Sequence, residues 1–210
     1  AGKGGTSSAP YSSGQYNVAV GYQSLDAFTT GFRNVGVGKD TLGLLTTGQK
    51  NTAIGDEAFF TLGKGNYSVA VGAAAGYYAT GSYNTFMGYE AGKGGTSSAP
   101  HSSGEYNTAI GYNALKGFTT GHENTVMGYQ AAYSLTSADN NVIIGYQTGY
   151  SLTTARYNVL IGDQAGYSLS TSSDSNENVM IGNSAGRNAD ADTNAAHYNV
   201  YIGSGAGYYM

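Results

Sequence analysis

Eleven times along the 210 residues a five-residue segment of strand-forming character ends in glycine, and the spacing of those glycines restricts the chain to very few folds. The segments are NVAVG (to Gly21), NVGVG (Gly38), NTAIG (Gly55), SVAVG (Gly72), NTFMG (Gly88), NTAIG (Gly111), NTVMG (Gly128), NVIIG (Gly145), NVLIG (Gly162), NVMIG (Gly182) and NVYIG (Gly203). Six of the ten intervals are 17 residues, one is 16, and the others are 23, 20 and 21. A fixed period with tolerated insertions marks a solenoid, in which each coil buries its apolar side only against its neighbours. The expected fold is all-β: a parallel β-solenoid, or β-roll, of about eleven coils with a modal 17-residue repeat. Glycine at 34 positions argues against a helical array, since each interior glycine costs a helix roughly 1 kcal/mol relative to alanine.

Residues 1–210 read as one array, with Gly/Ser-rich loop insertions at 1–15 and 91–105. The stretch AGKGGTSSAP fills Ala1–Pro10 and recurs at Ala91–Pro100, where it directly follows Gly88, Tyr89 and Glu90. By that alignment the chain is expected to open in mid-coil and to be an excerpt of a longer protein. Only 22 residues are charged and the net charge is −4, so there is no basic footprint for nucleic acid. No apolar run has the length of a membrane span, and no membrane insertion is expected. Absence of cysteine excludes a disulfide framework and thiolate metal sites.

Numbering each coil from its glycine as zero exposes the columns. Positions −1 and −3 share a strand face, because side chains alternate along a strand. They are expected to point inward, making Val20, Val37, Ile54, Val71, Ile110, Ile144, Ile161, Ile181 and Ile202 core residues. Position +7 supplies a second apolar rank, including Leu45, Leu135, Leu152 and Leu169, and position +3 is small in every coil. Each coil is thus expected to hold two short strands and two turns, with Thr-Thr-Gly segments such as Thr46–Gly48 providing a glycine of positive φ. Position −4 is Asn in ten coils and Ser68 in the other, a side chain able to bond its counterpart one coil away.

Position −2 is apolar throughout and bulkier toward the C-terminal half: Phe86, Val126, Ile143, Leu160, Met180 and Tyr201. With −1 assigned inward, this column is expected to face outward and to form a subunit interface, for which a cyclic trimer is the simplest closed arrangement. Tyrosines fill two further columns, −5 (as Tyr67, Tyr83, Tyr106) and +1 (as Tyr89, Tyr112, Tyr129), expected either to stack and stiffen the rod or to offer sugar-stacking platforms.

The copies Ser68–Gly72, Asn51–Gly55 and Asn107–Gly111 resemble the SVAIG-type repeats of trimeric autotransporter adhesin heads, which are left-handed parallel β-rolls. The longer pattern NTAIGYNALKGFTTGHENTVMGYQA (Asn107–Ala131) is similar to repeats in tail-fibre proteins of tailed bacteriophages. This resemblance implies a left-handed, homotrimeric fibre shaft or head, extracellular, on a virion surface or a cell-surface appendage, with a surface glycan or host receptor as partner. The 17-residue coil is longer than is usual in the adhesin heads.

Lys3, Tyr11, Lys93 and His101 sit on the two inserted loops and are candidate receptor contacts, because binding residues concentrate on loops carried by rigid scaffolds. Asn188, Asp190, Asp192 and Asn194 alternate like the opening of a calcium loop, but the next glycine is replaced by Ala195, and a solvated turn explains the pattern as well. Gly88–Gly94 is one residue short of a phosphate loop. No nucleophile, base and orienting group can be assembled, so neither an enzyme nor a cofactor is expected. Two alternatives to a structural and adhesive fibre segment remain at this level: an ice-binding solenoid with a threonine array, and a polysaccharide-cleaving fibre.

Overall fold

The computed structural model describes residues 2, 12–95, 101–169, 175–189 and 197–209. Each repeat contributes one three-residue strand: β1 (Val18–Val20), β2 (Val35–Val37), β3 (Thr52–Ile54), β4 (Val69–Val71), β5 (Thr85–Met87), β6 (Thr108–Ile110), β7 (Thr125–Met127), β8 (Val142–Ile144), β9 (Val159–Ile161), β10 (Val179–Ile181) and β11 (Val200–Ile202). All eleven lie in one parallel sheet in sequence order. The register pairs like column with like column, as in Val18↔Val35 and Ile144↔Ile161, and it survives the long intervals, as in Phe86↔Ala109 and Met180↔Tyr201. The chain is an all-β parallel solenoid with coils of about 17 residues. At a strand spacing of ~4.8 Å the ten steps span about 50 Å.

A second strand per coil was expected, and among the described residues it does not form; the far wall carries only isolated bridges, Ala79↔Ser102 and Asn188↔Tyr209. The reason is backbone conformation. Positions −5, +2 and, where not glycine, +4 are left-handed in coil after coil, as at Tyr67 (φ 54), Glu57 (φ 55) and Phe59 (φ 50), and such residues break any extended run. The wall is nevertheless hydrogen-bonded from coil to coil: the N–H of Thr29 donates to Thr46 O, Thr46 N–H to Gly63 O, and Leu25 N–H to Thr41 O. Those bonds keep the backbone polar groups satisfied around much of the circuit.

The glycines of the Thr-Thr-Gly turns do not have positive φ. Close approach demands them instead: a Cβ on Gly121 would lie 2.4 Å from the carbonyl oxygen of Ala138 in the next coil. The repeat glycine at position zero meets both demands. Gly128 has φ 136, and a Cβ there would lie 2.2 Å from Gly145 O.

Sheet orientation overturns the sequence expectation for the strand faces. Position −2 points inward: Phe86, Val126, Ile143, Leu160 and Met180 are completely buried within a single chain, and Tyr201 packs against the same core. Position −1 points outward. Val20, Ile54 and Ile202 are exposed, while Val37, Val71, Ile110, Ile144, Ile161 and Ile181 are half-buried, each covered only by its neighbours along the sheet. Leu45, Leu135, Leu152 and Leu169 at +7 are fully buried, as expected, and +3 is buried from Ser24 to Ala185.

What faces −2 across the interior is position +4, and the two exchange volume. Where −2 is small, +4 is large: Gly36 with Leu42, Ala53 with Phe59, Ala109 with Leu115. Where −2 is large, +4 is glycine, as in Phe86 with Gly92, Leu160 with Gly166 and Met180 with Gly186, or alanine, as in Val126 with Ala132. The exchange is steric, since a Cβ on Gly92 would lie 2.4 Å from the Phe86 ring and one on Gly186 would lie 2.3 Å from the Met180 sulfur. Ala70 with Gly76 leaves both positions small, and the rings of Phe59 and Phe86 in the adjoining coils fill the space, their centroids 5.9 Å apart.

On the inward side, just before the strand, the −4 column forms an unbroken ladder. Backbone N–H of Asn34 donates to Asn17 Oδ1, and the same step repeats through Asn51, Ser68, Asn84, Asn107, Asn124, Asn141, Asn158, Asn178 and Asn199. Most of these amides also donate Nδ2–H to the preceding Oδ1, and several to a carbonyl of the following coil, as Asn141 does to Ala155 O at 2.9 Å. Those from Asn34 to Asn178 are essentially without solvent contact.

The face assignment makes a paired prediction. Leu160→Asp places an uncompensated carboxylate in the core and should cost several kcal/mol, unfolding the surrounding coils in a urea titration followed by circular dichroism. Ile161→Asp, one residue away on the outward face, should cost far less and leave the coil fold intact.

Candidate functional site

Because −2 and −4 are committed to the interior, the outward face of the sheet carries −3 and −1. It is a strip of Val, Thr, Ile and Met running the length of the rod, with Ile54 and Met87 each 41 % exposed. The threonines (Thr52, Thr85, Thr108, Thr125) are the only polar side chains in these two ranks, and none of the −1 residues is polar.

Tyrosine ladders border the strip. At −5, Tyr67, Tyr83 and Tyr106 stack at 5.3 and 4.8 Å, nearly parallel. At +1, Tyr89, Tyr112, Tyr129 and Tyr146 stack at 5.2–5.3 Å. Inside such a ladder both faces of each ring are covered by other rings, so Tyr112 and Tyr129 offer edges and hydroxyls rather than the open faces that sugar stacking requires. The sugar-platform expectation therefore fails for the interior rungs, and stacking that stiffens the rod is what these rings do.

A third aromatic column, at +5, was not singled out in the sequence. Phe60 stacks on Tyr77 at 5.2 Å, and Tyr133, Tyr150 and Tyr167 form a run at 5.0–5.2 Å. Cations close its ends: Lys116 Nζ lies 5.4 Å from the Tyr133 centroid, and the Arg187 guanidinium 5.1 Å from that of Tyr167. The signal was present in the numbering, since +5 reads Tyr133, Tyr150, Tyr167, Arg187 at successive coils.

Between the +1 and +5 columns, glutamine side chains at +2 donate along the rod, Gln147 Nε2 to Gln130 Oε1 at 2.9 Å and Gln164 Nε2 to Gln147 Oε1 at 3.3 Å. Asn113, one methylene shorter, stands in the same column, and its buried Oδ1 has no hydrogen-bond partner. The next +2 residue toward the N-terminus is Glu90, whose carboxylate receives Lys93 Nζ at 2.5 Å and Lys116 Nζ at 2.6 Å. Burial pushes the Glu90 carboxyl up, but the hydrogen bonds and charges of Lys116 and Lys93 outweigh it and hold the group below its ordinary 4.5. For Lys116, burial pulls down and Glu90 more than compensates, so its ammonium is held above 10.5.

Lys93 and His101 do not stand on a projecting tip. Lys93 is tied to Glu90, and His101 stacks on the Tyr78 ring at 5.8 Å. Both described ends of the expected insertion 91–105 are bonded to the rod: Gly94 and Gly95 donate to Lys116 O and Phe118 O of the next coil, and Ser103 and Gly104 both donate to Thr119 O. Lys3 and Tyr11 lie outside the described residues. So do Asp190, Asp192 and Asn194; of that candidate calcium set only Asn188 is described, and its backbone bridges Tyr209. In the Thr-Thr-Gly turns the first threonine donates its hydroxyl to a carbonyl one coil on, as Thr29 does to Thr46 O and Thr119 to Thr136 O, leaving one outward rank per pair.

Comparison with protein-family models, with curated proteins and with solved structures finds no match to this chain.

Two predictions come from the polar side of this wall. Asn113→Gln extends the amide ladder to Gln130 and should raise stability by about 1 kcal/mol in a denaturant titration. Glu90 has its folded value depressed, so its contribution is complete above 4.5 and is lost as the pH falls through the folded value. Thermal stability of Glu90→Gln, measured from neutral pH into that acid range, should start below wild type and converge with it.

Proposed function

We propose that this chain is a structural and adhesive fibre segment, a rigid rod that associates side by side with further copies of itself and serves attachment from a virion or cell-surface appendage. The observation that carries the reading is the apolar outward strip of −3 and −1 residues along the whole sheet. A strip about 50 Å long and, with its tyrosine borders, about 20 Å wide offers on the order of 1,000 Å² per copy. That is enough for a specific interface, which needs roughly 800 Å² per partner. In-register stacking gives every copy the same period, so parallel copies mate without mismatch along their length.

The resemblance of the NTAIG-type repeats to tail-fibre and trimeric autotransporter repeats supports a left-handed winding and three copies about an axis. In that arrangement each chain turns its −3 rank to one neighbour and its −1 rank to the other. The attachment partner is a surface glycan or receptor, and the fibre is extracellular.

Native mass spectrometry of the purified chain should give a trimer. The double variant Ile144→Asp, Ile161→Asp should give a monomer with an unchanged circular dichroism spectrum. A wild-type monomer at micromolar concentration refutes the association, and an intact trimer in the double variant refutes its placement on this face.

A further inference from the structure

A ring stack in this rod closes, at several of its ends, on a cation supplied from the neighbouring rung of the same column. Lys50 Nζ lies 4.7 Å from the centroid of Tyr67, Lys116 caps Tyr133, and Arg187 caps Tyr167. The end of the +1 ladder at Tyr89 differs. Its one ring partner is Tyr112, and the neighbouring rung on the other side is Ala73, which carries only a methyl group. The next position in the +2 column is likewise alanine, Ala74.

Two adjacent alanines cut a notch of about 340 Å³ into the wall. Tyr89 closes one end, Asp56 and Glu57 of the preceding coil close the other, and Tyr77 and Tyr78 stand at the side. The facing groups are two coil steps, about 10 Å, apart, which leaves room for one group in contact with both. Asp56 and Glu57 are underused: Lys39 holds Asp40 at 2.5 Å but lies 3.9 and 3.8 Å from these two carboxylates, beyond hydrogen-bond distance. Lys93 also lines the notch, yet its ammonium is taken by Glu90. Glu90 is neutralised by Lys93 and Lys116, and Asp56 and Glu57 share with Asp40 the single ammonium of Lys39, so the excess negative charge at the notch lies on the Asp56 and Glu57 side.

The geometry points to this notch as a binding site for a small organic cation, whose ammonium group takes the cap position on the Tyr89 ring and is held between the Asp56 and Glu57 carboxylates. A ring face with carboxylates opposite is the chemistry that recognises amines and quaternary ammonium groups. A protonated amino sugar and a free alkylammonium share it. All the lining residues belong to one chain, so the inference goes beyond the fibre reading, although Tyr89 also stands on the border of the strip that the fibre reading assigns to association.

Saturation-transfer NMR with glucosamine, glucose and tetramethylammonium, at a pH where glucosamine is protonated, tests the assignment. At least one of the two cations should bind, with glucose roughly tenfold weaker or silent. Binding of glucosamine alone assigns the site to amino sugars, and binding of both assigns it to the ammonium group itself. Ala73→Tyr supplies the missing rung, is compatible with the stacked column, and should abolish the signal. Asp56→Asn with Glu57→Gln, two exposed isosteric changes, should weaken cation binding roughly tenfold and leave the fold intact. Failure of both cations to bind, glucose binding as well as glucosamine, or binding that survives Ala73→Tyr overturns the proposal. A monomeric native mass, by contrast, bears only on the fibre reading.

Discussion

Successive coils approach one another within backbone hydrogen-bonding distance around most of the circuit, and the narrow interior this leaves governs the rest of the molecule. The space between the strand and the opposite wall admits one large side chain from each −2 and +4 pair, never two. Such a core cannot tolerate independent substitution at the two columns, so volume is traded between them, from Phe59 opposite Ala53 to Gly166 opposite Leu160. The same closeness sets the repeat glycine, whose Cβ would collide with the next coil, and it forces the −4 amides into mutual hydrogen bonding because no water can reach them.

Much of the architecture was legible in the sequence because it depends on period alone. Parallel, in-register stacking follows from the glycine spacing, the asparagine ladder from an amide repeated at one position, and the buried +3 and +7 columns from small and apolar residues at fixed offsets. The direction in which the strand faces was not legible from apolarity, since −1 and −2 are both apolar and a strand apolar on both faces has no preferred inside. Two signals would have decided it. Thr52, Thr85, Thr108 and Thr125 share their face with −1, which marks that face as the one nearer water; and the trade of volume between −2 and +4 makes sense only if those two columns meet. The candidate interface accordingly moves to the opposite side of the same strands. The notch was invisible to any column taken singly, because it is an interruption in two columns at once, at Ala73 and Ala74, and its meaning depends on what the intact columns place above and below.

Stability in such a rod is a sum of nearly equal neighbour terms, with no central core that one substitution could dissolve. Left-handed non-glycine residues recur at −5 and +2, a recurring conformational cost that the coil-to-coil bonds offset. The outward side chains adjust stability locally and do not set the register. Tyrosine stacks, cation caps and the Glu90 ion cluster vary from coil to coil without altering the register, so one scaffold carries different chemistry at different heights along its wall.

The asparagine ladder has a further property. In each bond between these amides the donor belongs to the later coil and the acceptor to the earlier one, from Asn34 on Asn17 through Asn199 on Asn178. The column is therefore vectorial. A finished coil offers the coil that follows a carbonyl oxygen already fixed in position, whereas toward the N-terminal side it offers donors. Order can thus be handed forward along the chain in the direction of its synthesis, each completed turn acting as the mould for the next.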